Sequence, residues 1–223
     1  MNFLGNRIKS YENISRTYLV KKIPVIIRLD GKAFHTLTRG LDKPFDELFI
    51  NSMHNTAIKL CENVQNCKLA YVQSDEISLL LLDNEAPQTQ QWFGGNIQKM
   101  VSISAAITSV SFTKFFGKEG IFDSRVFNIP KEEVCNYFIW RQLDAVRNSI
   151  QGLGQKYFSH KSLHGLSCNQ IQEKLFQEEK INWSDESTIN KRGACAIRND
   201  GCWVIDKNIP EFTKDRNFLD KMI

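Results

Sequence analysis

The chain has 223 residues, 42% hydrophobic and 24% charged, with a formal net charge of +4. That length and apolar content predict a real hydrophobic core, as one large domain or a compact domain with an appended lobe. No run of about 18 apolar residues is available to cross a membrane, and the first residues lack the long apolar centre of a secretory signal, so a cytoplasmic protein is expected.

Cys61, Cys67, Cys135, Cys168, Cys195 and Cys202 contain no C-x-x-C pair, and with four histidines they make no zinc-ligand pattern. Reduced structural thiols are expected. The charge of +4 is compatible with nucleic-acid binding without demanding it.

Ile23 to Asp30 is a continuous apolar, β-branched run ending at Asp-Gly, which suits a central strand closing at a turn. From Pro44 to about Val64, the apolar residues Phe45, Leu48, Phe49, Met53, Ala57, Leu60 and Val64 follow helical spacing. Asp46 and Glu47 fall in the first turn of that helix, where its dipole favours anions.

Leu69 to Gln73 and Glu76 to Leu82 read as two short strands, with Ser74-Asp75 at the tip of their hairpin. Gln98 to Phe116 predicts a helix whose small residues, Ser102, Ser104, Ala105, Ala106 and Ser109, face a sheet. Phe122 to Ile129 alternates and stops at Pro130, as a fourth strand does. The order β-α-β-β-α-β is the ferredoxin-like split βαβ, in which the third strand lies antiparallel between the parallel first two. Asp30 and Asp75 then meet at one edge of the sheet.

Lys131 to Gln151 predicts a further helix, and Ser167 with Gln170 forms a capping-box pattern stapled by Leu166 and Ile171. Gly193 to Ile197 and Cys202 to Ile205 flank Arg198-Asn-Asp-Gly, a hairpin signal. The expected division is a catalytic core over residues 1–135 and a helical and hairpin lobe over 136–223, the two forming one continuous structural unit.

Two aspartates at one sheet edge can hold a hard divalent cation, and magnesium binds through one or two carboxylates while phosphate oxygens complete its shell. The alternative is a pair of solvated turn carboxylates. Gly31 permits close backbone approach to a ligand, and Lys32, Ala33, Phe34 and His35 complete a loop suited to a nucleoside triphosphate. Phe34 is either a stacking platform or core, and Lys43 either a phosphate counter-charge or a solvated loop charge. Arg141, Asp144 and Asn148 share a helical stripe in a basic stretch that either tracks an RNA backbone or is a solvated face. Lys191 and Arg192 are a second cationic pair that can meet phosphates.

Taken in order, Ile27-Arg-Leu-Asp-Gly-Lys-Ala-Phe-His35, Lys43-Pro44, Gln73-Ser-Asp-Glu76, Phe122-Asp-Ser-Arg125, Trp140-Arg-Gln142 and Lys191-Arg-Gly193 resemble the tRNA-histidine guanylyltransferase superfamily. Members of that superfamily add nucleotides to the 5′ end of tRNA in the 3′ to 5′ direction. The resemblance implies an α+β, polymerase-palm-like core with a helical C-terminal lobe bearing a hairpin. It also implies two Mg2+ ions, GTP and ATP as substrates, and a homotetramer built as a dimer of dimers.

On this resemblance Asp30, Gly31 and Asp75 hold the metals, and Asp30 to His35, Ser74, Asp75, Lys191 and Arg192 bind nucleotide. Asp30, Asp75, Glu76 and Lys43 are catalytic; Arg141, Arg147 and Asn148, in the basic stretch, are the expected tRNA contacts. The eukaryotic enzymes carry His-Ile-Asn-Asn where this chain has Val146-Arg-Asn-Ser149. This departure resembles the guanylyltransferase-like branch, which favours templated repair of 5′-truncated tRNA. The competing readings are strict guanosine addition to tRNA-histidine, a nucleotide cyclase, which also places paired metal aspartates on a palm-like sheet, and a non-catalytic RNA- or nucleotide-binding module.

Overall fold

The computed structural model describes residues 3–223. Six strands form one antiparallel sheet in the order β4-β1-β3-β2-β5-β6: β1 Val25–Gly31, β2 Cys67–Gln73, β3 Glu76–Leu81, β4 Phe122–Asn128, β5 Ala194–Asn199 and β6 Cys202–Asp206. The first four follow the expected palm topology, with β3 between β1 and β2. The C-terminal hairpin then lengthens that same sheet, β5 pairing with β2 at Ala70↔Ala196, Tyr71↔Cys195 and Val72↔Ala194. Its turn, Asp200-Gly201, takes φ of 48° and 83°, the left-handed pair that matches strand twist in a two-residue hairpin.

Alternation along the strands divides the core. Ile27, Leu29, Val72, Ile77 and Leu79 face α3 (Glu47–Asn63) and α4 (Ile97–Phe116). Ile26, Tyr71, Leu80 and Cys195 face α5 (Val134–Tyr157) and the closing segment with Ile209, Phe212 and Leu219. Because side chains alternate with period two, charged residues between these apolar ones are committed to one face in advance.

Helix boundaries move slightly from expectation. Asp46 sits before α3 as its N-cap, accepting from the Phe49 amide at 2.8 Å, and Leu48 is 55% exposed because it lies off the buried stripe. On α4 the face against the sheet carries Ser104, Thr108, Ser111 and Phe112, whereas Ser102 and Ala106 point to solvent. Ser104 and Ser124 hydroxyls bond at 2.8 Å and the Phe122 amide donates to Ser109, so small polar residues do bring α4 close to β4.

The capping box at Ser167 and Gln170 opens α7 (Cys168–Glu179), and Leu166 and Ile171 share a third small core between α5, α6 (His160–Leu163) and α7. Sequence patterning missed α1 (Phe3–Ile14), which buries no side chain and leaves Phe3, Leu4, Ile8, Tyr11 and Ile14 exposed. Two short helices near the site, α2 (Phe34–Leu37) and α8 (Thr188–Arg192), and α9 (Asn217–Asp220) complete the fold. Among the described residues no helix is long and apolar enough to cross a membrane.

Candidate active site

At the end of β1 the sheet carries a row of carboxylates: Asp30 lies opposite Asp123 of β4 on one side and Glu76 of β3 on the other. Like charges directly across strands repel. Asp75 adds a further carboxylate from the two-residue tip joining β2 and β3, where Ser74 takes φ of 47° and the Gly31 amide donates to the Asp75 carbonyl at 3.1 Å.

Glu76 and Asp123 are each offset locally. Arg141 of α5 grips Glu76 with both arms of its guanidinium, Nε to Oε1 at 2.7 Å and Nη2 to Oε2 at 2.6 Å, while Nη2 also reaches Asp144 at 2.9 Å. Both side chains of the pair are under a tenth exposed. Burial pushes the Glu76 carboxyl up, and Arg141 pulls against it. Asp123 lies 3.7 Å from Arg125 at the surface.

Neither Asp30 nor Asp75 is ion-paired among the described residues. Burial, then the charge of Asp123, raises the Asp30 pKa, with Arg28 and Arg141 opposing. Burial, reinforced by Asp30 and Glu76, raises Asp75 to about 6 against its own amide and the Ser74 hydroxyl. Two carboxylates held apart from cations and destabilised in their charged form suit a divalent ion. Among the described residues no group of three or more His, Cys, Asp or Glu gathers into a metal cage. A cation held here would need its remaining ligands from backbone carbonyls, water or phosphate oxygens.

Asp75 lines a cleft of about 610 Å³, together with Gly31, Ala33, Phe34, His35, Lys43 and Ser74 and with Asn148, Gly152, Gln155 and Lys156 of α5, while Asp30 stands in β1 immediately before the lining residue Gly31. The loop after β1 is pinned from below. Phe34 is 4% exposed, its ring 4.9 Å from Phe122 and 5.2 Å from Phe112. It is therefore a core anchor rather than a base-stacking platform. Gly31 is required for that anchor, since a Cβ there would sit 2.4 Å from the Phe34 ring. Ala33 adopts φ of 57° before α2, and Lys32, His35 and Lys43 remain exposed.

The remaining expected residues are placed elsewhere. Arg141 is buried against Glu76 rather than presented to a nucleic acid, because α5 turns that stripe toward the sheet. Arg147 is exposed and paired to Asp144, and Asn148 lines the cleft. Lys191 donates to the Ser184 carbonyl, and Arg192 lies 3.4 Å from Glu211; neither lines the cleft. Sequence reasoning gave no role to Asp123 or to the Ser78–Tyr137 hydroxyl contact of 2.8 Å behind Glu76, although an antiparallel count back from Asp30 locates Asp123.

The model of the family described as Thg1, tRNAHis guanylyltransferase, matches residues 5–130. The chain is 40% identical to a bacterial tRNA(His) guanylyltransferase-like protein solved in complex with ATP, covering 98% of each chain with a TM-score of 0.96. A structure of such a bacterial protein with GTP is 37% identical, again with 98% of each chain covered, at a TM-score of 0.89. The tRNA(His) guanylyltransferase of Debaryomyces hansenii is 28% identical over 216 residues, 86% of this chain and 78% of that one. By the span of the matched family model, which takes in the whole row of carboxylates and the loop beneath the cleft, this chain belongs to the tRNAHis guanylyltransferase family.

Proposed function

We propose that this chain adds nucleotides to the 5′ end of tRNA in the 3′ to 5′ direction, as templated repair of 5′-truncated molecules. The observation that carries this reading is the unpaired carboxylate Asp75 lining a cleft beside Gly31, Ala33 to His35 and Lys43, with the unpaired Asp30 next to Gly31 at the end of β1. Val146 supports repair over obligatory guanosine addition, because the histidine of the eukaryotic motif is absent there.

The chemistry has two displacements. A 5′-monophosphate oxygen of tRNA attacks the α-phosphorus of ATP or GTP, forming a phosphoanhydride as the α–β bridge breaks and pyrophosphate leaves. The 3′-hydroxyl of an incoming nucleoside triphosphate then attacks the 5′-phosphorus, gives up its proton, and expels the nucleoside monophosphate. Asp30, Asp75 and the Gly31 carbonyl would hold two magnesium ions, which when bound would neutralise phosphate charge and acidify the attacking hydroxyl.

The chain's own part is positioning. Ala33 to His35 line the cleft where a triphosphate would lie, the Lys32 amide being spent on the Ile121 carbonyl at 2.8 Å, and Lys43 balances the triphosphate charge from the cleft wall. Glu76, spent on Arg141, acts by fixing the start of β3 beside Asp75. Arg147 and Asn148 contact tRNA at the cleft rim. Exposed apolar residues on α1, with Val110 on α4, support assembly into a homotetramer.

The test is nucleotide addition to full-length and 5′-truncated tRNA with ATP, GTP and magnesium, varying the base opposite the added position. Addition that follows the template base supports repair. Guanosine addition regardless of that base establishes strict guanylyl transfer instead, and no addition by wild type overturns the enzymatic reading.

A further inference from the structure

On α5 one carboxylate holds three neighbours at once. Asp144 Oδ2 accepts from Arg141 Nη2 at 2.9 Å and from the Asn148 side-chain amide at 3.3 Å, while its Oδ1 accepts from Arg147 Nη2. Spacings of three and four residues make these side chains neighbours on one helical turn. They grade outward, Arg141 at 7% exposed, Asp144 at 20% and Arg147 at 59%. Arg141 in turn holds Glu76, the residue after Asp75.

Charges along this line alternate: negative at Glu76, positive at Arg141, negative at Asp144 and positive at Arg147. Arg141 is shared between two carboxylates, and Asp144 between two guanidiniums. Anything that takes Arg147 away leaves the buried part of the line with one uncompensated negative charge. Arg147 is the member that solvent reaches, and an arginine that meets a phosphate can make two parallel charge-assisted bonds in place of its single bond to Asp144. The charge of Arg141 also extends to Asp30, where it opposes the rise that burial and then Asp123 impose on that carboxyl. An Asp144 freed of Arg147 offsets more of Arg141, and the carboxylates at the end of β1 then attract a cation more strongly.

We propose that Asp144 is a positioning residue that couples an RNA phosphate on Arg147 to cation binding at Asp30 and Asp75, by passing the charge released at Arg147 onto Arg141. The inference rests on the nucleotide-transfer reading and deepens it, since the site then favours its cation once RNA is in place. Such coupling is reciprocal, so a bound cation tightens RNA binding by the same factor.

Manganese(II) shares the oxygen-ligand preference of magnesium, and electron paramagnetic resonance counts its free ion, so cation affinity is read on the full metal-free chain without any turnover. Asp144→Asn is expected to weaken manganese binding at least threefold, and Arg147→Ala to tighten it about twofold. In the Asp144→Asn background, Arg147→Ala is expected to change nothing further. Loss of folding alone lowers the fraction of chains that bind and leaves the affinity of the rest unmoved. Manganese is also expected to tighten binding of 5′-truncated tRNA more in wild type than in Asp144→Asn, the RNA's own cation requirement being common to both.

Manganese affinity unmoved in either single variant overturns the inference and leaves Asp144 a structural clamp on Arg141, with the nucleotide-transfer reading untouched. An Arg147→Ala effect that persists in the Asp144→Asn background overturns it as well. Wild type that binds no manganese overturns it too, and the nucleotide-transfer reading falls only if nucleotide addition to tRNA also fails.

Discussion

Arg141 closes on Glu76 through two parallel bonds of 2.7 and 2.6 Å, making a buried ion pair immediately behind the Asp30 and Asp75 carboxylates. Removing one member of such a pair leaves the other charge uncompensated, typically at about 3–5 kcal/mol. Glu76→Ala is softened by Asp144, which retains one bond to Arg141. Arg141→Ala leaves Glu76 only the neutral Ser78 hydroxyl at 3.3 Å. Urea denaturation should therefore show Arg141→Ala as the more destabilised variant, with Arg141→Lys intermediate because a single ammonium cannot reproduce the fork.

Asp30→Asn and Asp75→Asn should separate activity from stability in the opposite sense. Each removes a charge that its neighbours oppose. The metal-free variants are expected to be at least as stable as wild type in thermal melts while nucleotide addition is lost. Added magnesium should raise the melting temperature of wild type and leave both variants unmoved.

Two buried groups pull the acid dependence of stability in contrary directions. Asp75 is raised to about 6 from 3.8, so the folded state binds more protons between those values and stability falls as pH rises through them. His54 is lowered to about 4 from 6.5, so the unfolded state binds more protons and stability rises over that window. Each contribution is on the order of 3 kcal/mol between its protonated and deprotonated limits. In metal-free protein, Asp75→Asn should make stability climb more steeply from pH 4 to 6.5 than in wild type. His54→Leu should do the reverse, with urea midpoints across that range as the measurement.

The Gly31–Phe34 contact gives a mutational cycle. Gly31→Ala drives a methyl into a ring hemmed by Phe49, Phe112 and Phe122, at a cost of roughly 1–3 kcal/mol. Phe34→Leu alone loses packing. The double variant should be less destabilised than the sum of the singles, and KM for nucleotide should rise in all three as the loop lining the cleft loosens.

Lys43 is exposed at the cleft wall and makes no structural ion pair among the described residues. Lys43→Ala should change stability by less than about 0.5 kcal/mol. Single-turnover formation of the activated tRNA 5′ end should nonetheless slow at least tenfold.

The palm was legible in the sequence because its strands are marked by local chemistry: a β-branched run before Asp30-Gly31, a polar two-residue tip, and a strand stopped by Pro130. Once the topology was assigned, the meeting of Asp30 with the Asp75–Glu76 tip followed from strand order. The Arg141–Glu76 pair was not legible, since Arg141, Asp144 and Asn148 form a stripe that equally describes a solvated helix. Only the placement of α5 over the sheet decides it. The partner of the C-terminal hairpin was likewise hidden, because nothing local at Ala194–Asn199 names β2 as its neighbour. For α1 a signal existed in the spacing of Leu4, Ile8 and Tyr11, but the helix is outside the core that periodicity was used to find.

The pairing of β2 with β5 also dictates when the molecule can work during its own synthesis. Until residues 192–212 have emerged from the ribosome, Ala70 to Val72 present a bare strand edge and Tyr71 lacks Phe212 and the Arg192 carbonyl, to which its hydroxyl donates. The carboxylate row is complete in sequence by Asp123, yet the strand delivering Asp75 remains half-paired for another seventy residues. A chain released before the hairpin would expose an aggregation-prone edge beside a finished set of acidic side chains, so the strand that delivers Asp75 gains its second neighbour only when β5 is made.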